Sequence, residues 1–366
     1  MTRSPGGTPK RKTMIEKFFY SMVIVFCLFV AGGLLLPRTV HVERSIEIER
    51  PVETVFAVVN RFDSYPSWSP LFERDPGAEI QLSGPGSGPG ARLHWAGDPR
   101  LVGSGWQEIT HSQRPSRVEI HLEMDQLGAA DTWFQVDRVA GGARLTWAFD
   151  TDLVEGQGWF GGLLARYFGL FFDRWIGGDY EQGLQRLKAH VESLPETDFA
   201  GLDAEVVTVD AMNVLFISGD AQGSDTGQML ADAFREISAF MAENGVEMAS
   251  QPMAITRGWD RQGFRFDAAI PVERNDIETS GNVRLGLSPS GRAVRVVHRG
   301  PYESMPDSYG KLAAYMAVNG LREGSVSWEH YISDPGETAA AELITHIYFL
   351  VDENPAAVGA GHALEN

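Results

Sequence analysis

The chain says one thing twice. Residues 239–247 read AFMAENGVE and residues 314–323 read AYMAVNGLRE, a likeness that holds at a constant offset of 75 positions. Phe234 pairs with Tyr309, Ile237 with Leu312, Phe240 with Tyr315, Met241 with Met316, Asn244 with Asn319 and Gly245 with Gly320. Each copy reads strand, helix, strand, strand. In the first, VLFISGDAQ leads into ADAFREISAFMAENG, then MAITRGW and FRFDAAIPV. In the second, AVRVVHRGPY leads into DSYGKLAAYMAVNG, then SWEHYIS and LITHIYFLV. Asn-Gly at both helix ends supplies the left-handed stop that Gly or Asn adopts cheaply. Two such units packed about a pseudo-twofold axis leave a groove between them.

The duplicated region spans 205–352. Ahead of it, SLPETDFAGLDA is rich in Pro, Gly and Asp and shows no periodicity, so residues 195–204 read as a linker. Behind it, ENPAAVGAGHALEN (353–366) reads as a disordered tail.

Residues 38–194 form a second globular region. Val40, Val42, Ile46 and Ile48 alternate with polar residues, the mark of a strand with one buried face. Pro51 then opens a helix whose Val52, Val55, Phe56 and Val59 share one side. SGPGSGPG reads as a flexible hairpin, and more alternating strands follow it. From Gly162 to Leu194 the period turns helical, with Phe168, Phe172, Trp175, Leu184, Leu187 and Val191 on the apolar face. One curved antiparallel sheet with a long helix laid on it is the simplest packing.

The N-terminus carries FFYSMVIVFCLFVAGGLLLP, residues 18–37, with no charge. About 20 residues at about 1.5 Å each span the roughly 30 Å core of a bilayer. Arg3, Lys10, Arg11, Lys12 and Lys17 precede it, within a basic segment of residues 1–17. The positive-inside rule puts that segment in the cytosol and the globular regions on the extracytoplasmic side. A cleaved signal peptide fits less well, because the apolar run is long and no A-x-A site follows. A net charge of −18 with no basic stripe argues against nucleic acid as a partner.

Several stretches carry family resemblances. RSIEIERPVETVFAVVNRFDSYPSWSP, GSGWQEI, LTWAFD and GGDYEQGLQRLKAHVE resemble the polyketide cyclase/START-like (SRPBCC) superfamily over nearly all of 40–193. The resemblance implies a helix-grip fold with an apolar cavity between sheet and last helix, in a family that binds lipids, polyketides and other hydrophobic molecules. HRGPYESMPDSYGKLAAYMAVNG, WEHYISDP and THIYFLV are similar to the GyrI-like, or AraC effector-binding, domain over 205–352. That resemblance implies a small-molecule groove, often for aromatic cations. The whole is an α+β chain: one transmembrane helix, a helix-grip antiparallel sheet, and a pseudo-duplicated β-α-β-β domain.

Aromatic residues are the first candidates for contact with a ligand. Trp68, Trp95, Trp106, Trp133, Trp147, Trp159 and Trp175 all fall in the first region, and the first five are read as candidate cavity walls. In the second region Trp259, Tyr302 and Trp328 can stack on a planar ligand. The GyrI-like pattern places a glutamate in the last strand, in a T-E-I-Y-type motif. Here that stretch is Thr345-His346-Ile347-Tyr348, so His346 stands in its place and the preference for cations is left open. The matching strand of the first copy carries Asp267. Alternation puts His346 and Tyr348 on one face and Asp267 on the corresponding face, with Glu329 and Tyr331 as candidates to join them.

Local motifs assign no chemistry. There is no H-x-x-x-H pair, no C-x-x-C and no G-x-S-x-G, and the single cysteine, Cys27, lies inside the apolar run. No catalytic residue, metal or cofactor is assigned. The expected function is a membrane-anchored binding protein for hydrophobic or aromatic small molecules, acting by sensing, sequestration or transfer. The alternatives are a cyclase-like or hydrolytic enzyme, and a docking module for a protein partner that the sequence leaves unknown.

Overall fold

The computed structural model describes residues 10–125, 128–221, 226–260 and 263–352. The expected tail after Asp352 lies outside the described residues. The chain divides into two compact units, Met1–Ser193 and Leu194–Asn366.

The first unit begins with helix α1 (Lys10–Leu35), which contains a stretch, Glu16–Leu35, long and apolar enough to cross a membrane. Strand β1 (Thr39–Ile48) leads to α2 (Val52–Val59) and two short helices, α3 (Tyr65–Trp68) and α4 (Pro70–Arg74). A meander follows: β2 (Glu79–Ser83), β3 (Arg92–Ala96), β4 (Ser104–Gln113), β5 (Arg117–Met124), β6 (Gly128–Val139) and β7 (Gly142–Asp152). Then come α5 (Trp159–Gly169) and α6 (Phe172–Glu192).

All strands pair antiparallel in the order β1-β7-β6-β5-β4-β3-β2, and α6 lies on the sheet. The apolar side of α2 is buried as its spacing predicts. Phe56 is 1% exposed, a burial that stabilises by about 1.5–3 kcal/mol. One expectation fails at the C-terminal end. The helical text from Gly162 onward is two helices, broken at Leu170 and Phe171, and Phe168 and Trp175 face outward instead of into the core.

The second unit starts with β8 (Ala204–Val209), β9 (Asn213–Ala221), α7 (Thr226–Glu243), β10 (Met253–Asp260) and β11 (Gly263–Pro271). It continues with β12 (Arg284–Leu287), β13 (Gly291–Arg299), α8 (Met305–Val318), β14 (Glu323–Tyr331) and β15 (Ile344–Val351). The sheet order is β12-β9-β11-β10-β14-β15-β13-β8. Read from the centre outward, β10-β11-β9 mirrors β14-β15-β13, so the pseudo-twofold passes between β10 and β14.

The repeat reaches atomic detail at the helix ends. Gly245 and Gly320 have φ of 63° and 62°, the left-handed stop expected of Asn-Gly. Asn244 Nδ2 donates to the Phe240 carbonyl and Asn319 Nδ2 to the Tyr315 carbonyl, both at 2.8 Å. Both helices pack on one side of the sheet. Ile237, Phe240 and Met241 meet Leu215, Phe266, Ala268 and Ile270, while Leu312 and Met316 meet Val294, Val296 and Ile347. The other side carries a separate cluster with Val214, Met253, Ile255, Ala269, Trp328 and Tyr348.

Candidate functional site

The tryptophans of the first unit fall into two groups. Trp68 and Trp147 are buried between sheet and α6. Trp147 stacks on Tyr180 of α6 with ring centres 3.9 Å apart, 5.2 Å from Phe134 and 5.7 Å from Trp68. The Trp147 indole donates to Thr132 Oγ1 at 2.8 Å. These rings occupy the space where an apolar cavity was expected, so Trp68 and Trp147 are packing residues. Gly183 of α6 lets the helix come this close, since a Cβ there would stand 2.9 Å from the Trp147 ring. Trp95 is also buried, its ring against Gly105.

Trp106 and Trp133 are corrected by the pleat. Their neighbours Gln107, Thr132 and Phe134 point inward, so these two rings lie half-buried on the outer face of the sheet. The Arg92 guanidinium lies 5.5 Å from the Trp106 ring and that of Arg117 lies 4.2 Å from the Trp133 ring. The cleft beside α6 is polar rather than apolar. It has a volume of about 650 Å³ and is bordered by Arg44, Glu181, Gln182 and Gln185.

An apolar groove lies in the second unit, between the facing ends of α7 and α8, with a volume of about 540 Å³. Leu230 and Phe234 of α7 form one wall, and Tyr302, in the 3-10 turn before α8, and Met305 of α8 form the other. Ile270 and the β14 residues Glu329 and Tyr331 form the floor. The two walls are related by the repeat: Leu230 stands 75 positions before Met305, and Gly227 stands 75 before Tyr302. Gln251, Ser333 and Asp334 add polar groups at the rim, and no described lining residue is basic.

Glu329 is the centre of this groove. It pairs across the axis with Ala254, the residue 75 positions before it. One copy therefore contributes a carboxylate at the axis and the other a methyl group that leaves room for it. Tyr309 of α8 and Tyr331 of β14 each donate a hydroxyl to Glu329, both at 2.6 Å. Burial, reinforced by the adjacent carboxylate, pushes both phenols well above their ordinary range, so they stay protonated and donate. Among the described residues, no Lys, Arg or His forms an ion pair with Glu329. Tyr331 also meets Phe234 and Tyr302 edge-on, at 6.2 and 5.6 Å.

The candidates named from sequence divide at the sheet. Glu329, Tyr331 and Tyr302 line the groove. Asp267, Trp328 and Tyr348 do not: register aligns Asp267 with Ile255, Ile255 with Trp328 and Trp328 with Tyr348, a single row on the face away from the helices. Asp267 is buried there, ion-paired with Arg257 and accepting from Ser218 Oγ at 2.6 Å. Trp328 and Tyr348 stack with ring centres 4.7 Å apart. His346 shares that face, opposite His330. Burial first, then the nearby cations Arg295 and Arg299 and the neighbouring His330, holds its pKa below the ordinary range.

The acid of the groove thus comes from β14, and the expectation that Glu329 joins Asp267 and His346 is overturned by the register between strands. The Trp259 side chain lies outside the described residues. Sequence reasoning missed Leu230, Phe234 and Met305 as groove residues, and Tyr309 as a donor to the groove's carboxylate. The signal was present in the repeat itself, where Phe234 aligns with Tyr309 and Leu230 with Met305.

Comparison with known proteins agrees with this division. Residues 39–192 match the family described as polyketide cyclase / dehydrase and lipid transport. Residues 202–352 match the GyrI-like small molecule binding domain. The chain carries a polyketide cyclase/START-like domain followed by a GyrI-like domain. The second is a small-molecule binding domain.

Among solved structures, the chain is similar to the C-terminal domain of EcmrR, at 20% identity over 42% of this chain and 99% of that one, with a TM-score of 0.37. An uncharacterized conserved protein from Listeria innocua is 16% identical over 41% and 92%, with a TM-score of 0.33. A hydrolase from Listeria innocua is 18% identical over 41% and 91%, with a TM-score of 0.31. No curated protein matches the chain.

Proposed function

We propose that the GyrI-like groove binds a planar aromatic or amphipathic cation, and that α1 anchors the chain in a membrane. One observation carries the ligand class: the Glu329 carboxylate sits in an apolar, aromatic-walled groove with two hydroxyl donors and, among the described residues, no ion-paired Lys, Arg or His. Glu329 is half-buried, and partial withdrawal from water makes a carboxylate without a countercharge costlier than one in bulk solvent. A ligand cation supplies that charge, and its ring system covers the tyrosine faces, where cation–π attraction adds about 0.5–2 kcal/mol. The role is capture without chemistry, in sensing, sequestration or transfer. The net charge of −18 supports a partner other than nucleic acid.

Calorimetric titration of the full chain in detergent with a planar cationic dye and with its neutral isostere tests this reading. Glu329→Gln is expected to weaken the cation by about 10- to 100-fold, the loss of one charge-assisted contact of about 1.5–3 kcal/mol. The neutral isostere is expected to bind both proteins alike. Equal affinity of the cation for both proteins would refute the assignment. The basic residues before α1 support an N-terminus in the cytosol. A periplasm-active reporter fused after Asn366 is expected to be active, and an inactive one reverses the orientation.

A further inference from the structure

Beyond α1, the exposed large apolar residues concentrate in one short segment. Phe160, Leu164, Phe168, Phe171 and Trp175 recur at steps of four, four, three and four, the spacing of a helix face. In sequence such a stripe reads as a core face. In the fold it is turned outward, with Trp159 65%, Phe168 56% and Trp175 58% exposed. The one acid beside the stripe in the first turn of α6, Asp173, is drawn away to Arg44 at 3.0 Å. Large apolar side chains left exposed together in one short segment mark a contact with something outside the chain.

The other side of α5 says what that something is, because it is fastened to α1. Tyr167 stacks on Phe29 with ring centres 4.7 Å apart, and its hydroxyl donates to the Phe29 carbonyl at 2.7 Å. Arg166 donates to the carbonyls of Leu34 and Leu36, both at 3.1 Å, and so satisfies groups that the end of α1 leaves unpaired. Gly33 has no side chain to hold Leu163 away. These contacts tie α5 to the last two turns of the apolar span, which ends at Leu35. That depth is the boundary between acyl chains and headgroups, where Trp and other aromatic side chains are enriched and amphipathic helices lie flat.

We infer that the stripe from Trp159 to Trp175 is a second membrane contact, seated in the leaflet from which α1 emerges. The partner is the lipid surface itself. It holds the start of α6, and the sheet end formed by Thr39 and Asp152, against the bilayer. The inference rests on the reading of α1 as a membrane span.

The test uses the full chain in vesicles of phosphatidylcholine and phosphatidylglycerol. A fluorescent label on the natural Cys27, in the middle of α1, reports whether the span is embedded. In a Cys27→Ser background, labels go on Phe160→Cys and Phe171→Cys, and on Arg138→Cys at the far end of the sheet. Arg138 pairs with Ala143, nine residues along β7 from Asp152, or about 30 Å away. All three sites are exposed, so the substitutions leave the fold in place.

Labels at 160 and 171 are expected to lose most of their emission to a headgroup-level spin-labelled lipid and to resist aqueous iodide, with the reverse at 138. If 160 and 171 are as open to iodide as 138 while Cys27 is shielded, the second contact is refuted and the anchor stands. If Cys27 is itself open to iodide, both fail.

Discussion

In the first unit Trp147 lies flat on Tyr180 at 3.9 Å, with Phe134 and Trp68 closing round it. In the second, Tyr309 and Tyr331 turn their hydroxyls onto Glu329, and Phe234 faces a groove of about 540 Å³. Both regions are rich in aromatic residues, and on composition alone either could be hollow. The difference lies in what the rings touch. Rings that meet rings serve stability, whereas rings that meet open space beside a carboxylate with no ion pair among the described residues leave room for a ligand. The START-like interior stacks its tryptophans against α6. The GyrI-like groove arises because duplication puts two similar walls on either side of an axis, and the two copies differ where they meet.

The comparison breaks most directly at Trp147. Trp147→Ala is expected to cost the first domain about 3–5 kcal/mol, the usual penalty for deleting a buried large aromatic. Phe234→Ala, at a ring half-open to the groove, is expected to cost less than half of that. Thermal melts of both variants check the contrast, and equal losses would erase it.

The next largest effect tests the asymmetry at the axis. Ala254→Glu sets a second carboxylate opposite Glu329. Two like charges about 4 Å apart repel by about 4 kcal/mol at an effective dielectric near 20. One carboxyl of the pair is then held protonated above the ordinary carboxylate range. Because the folded state now binds the extra proton, stability is expected to rise as the pH falls, opposite to ordinary acid denaturation. Melting temperatures of the variant across the mildly acidic range give the sign.

A smaller change sharpens the role of the tyrosines. Tyr309→Phe removes one of the two donors to Glu329 and is expected to lower stability by about 1 kcal/mol. No loss in a denaturant titration would mean that water replaces the hydroxyl freely.

The smallest effect sits on the far face of the same sheet. Burial holds His330 and His346 below the ordinary histidine pKa of about 6.5, with Arg295 and Arg299 adding to the shift of His346. The unfolded chain binds protons there more readily, so this contribution is full above about 6.5 and fades as the pH falls below it. A His330→Gln, His346→Gln protein is expected to show a flatter acid limb in its melting profile.

Much of the fold was legible as pattern. The period-two strands, the apolar side of α2 and the Asn-Gly helix ends all rest on local geometry, and each reappears where its spacing put it. The duplicated unit was legible for the same reason, since a constant offset leaves little freedom in element order. The candidate site was legible only in part. Glu329, Tyr331 and Tyr302 were named from sequence, but they were grouped with Asp267, His346 and Tyr348 across a sheet that separates them. Strand period says which residues of one strand share a face. It does not say which face of the neighbouring strand joins them, because that depends on register. Trp106 and Trp133 were misread for a related reason, as only the packing of the helices on one face of the sheet decides which side of a strand is inside.

Sequence alone determined that this chain has an apolar N-terminal segment, a START-like region and a duplicated GyrI-like region. The apolar segment and the duplication follow from composition and repetition, and the likeness to the two families from short motifs, all of which act over a few residues or at a constant offset. Tertiary structure alone decided that Trp147 packs while Phe234 lines open space. It also decided that Glu329 rather than Asp267 faces the groove, and that the stripe from Phe160 to Trp175 turns outward. Each of those outcomes depends on contacts between residues far apart in the chain, and a one-residue change of register or a break between two helices would reverse it.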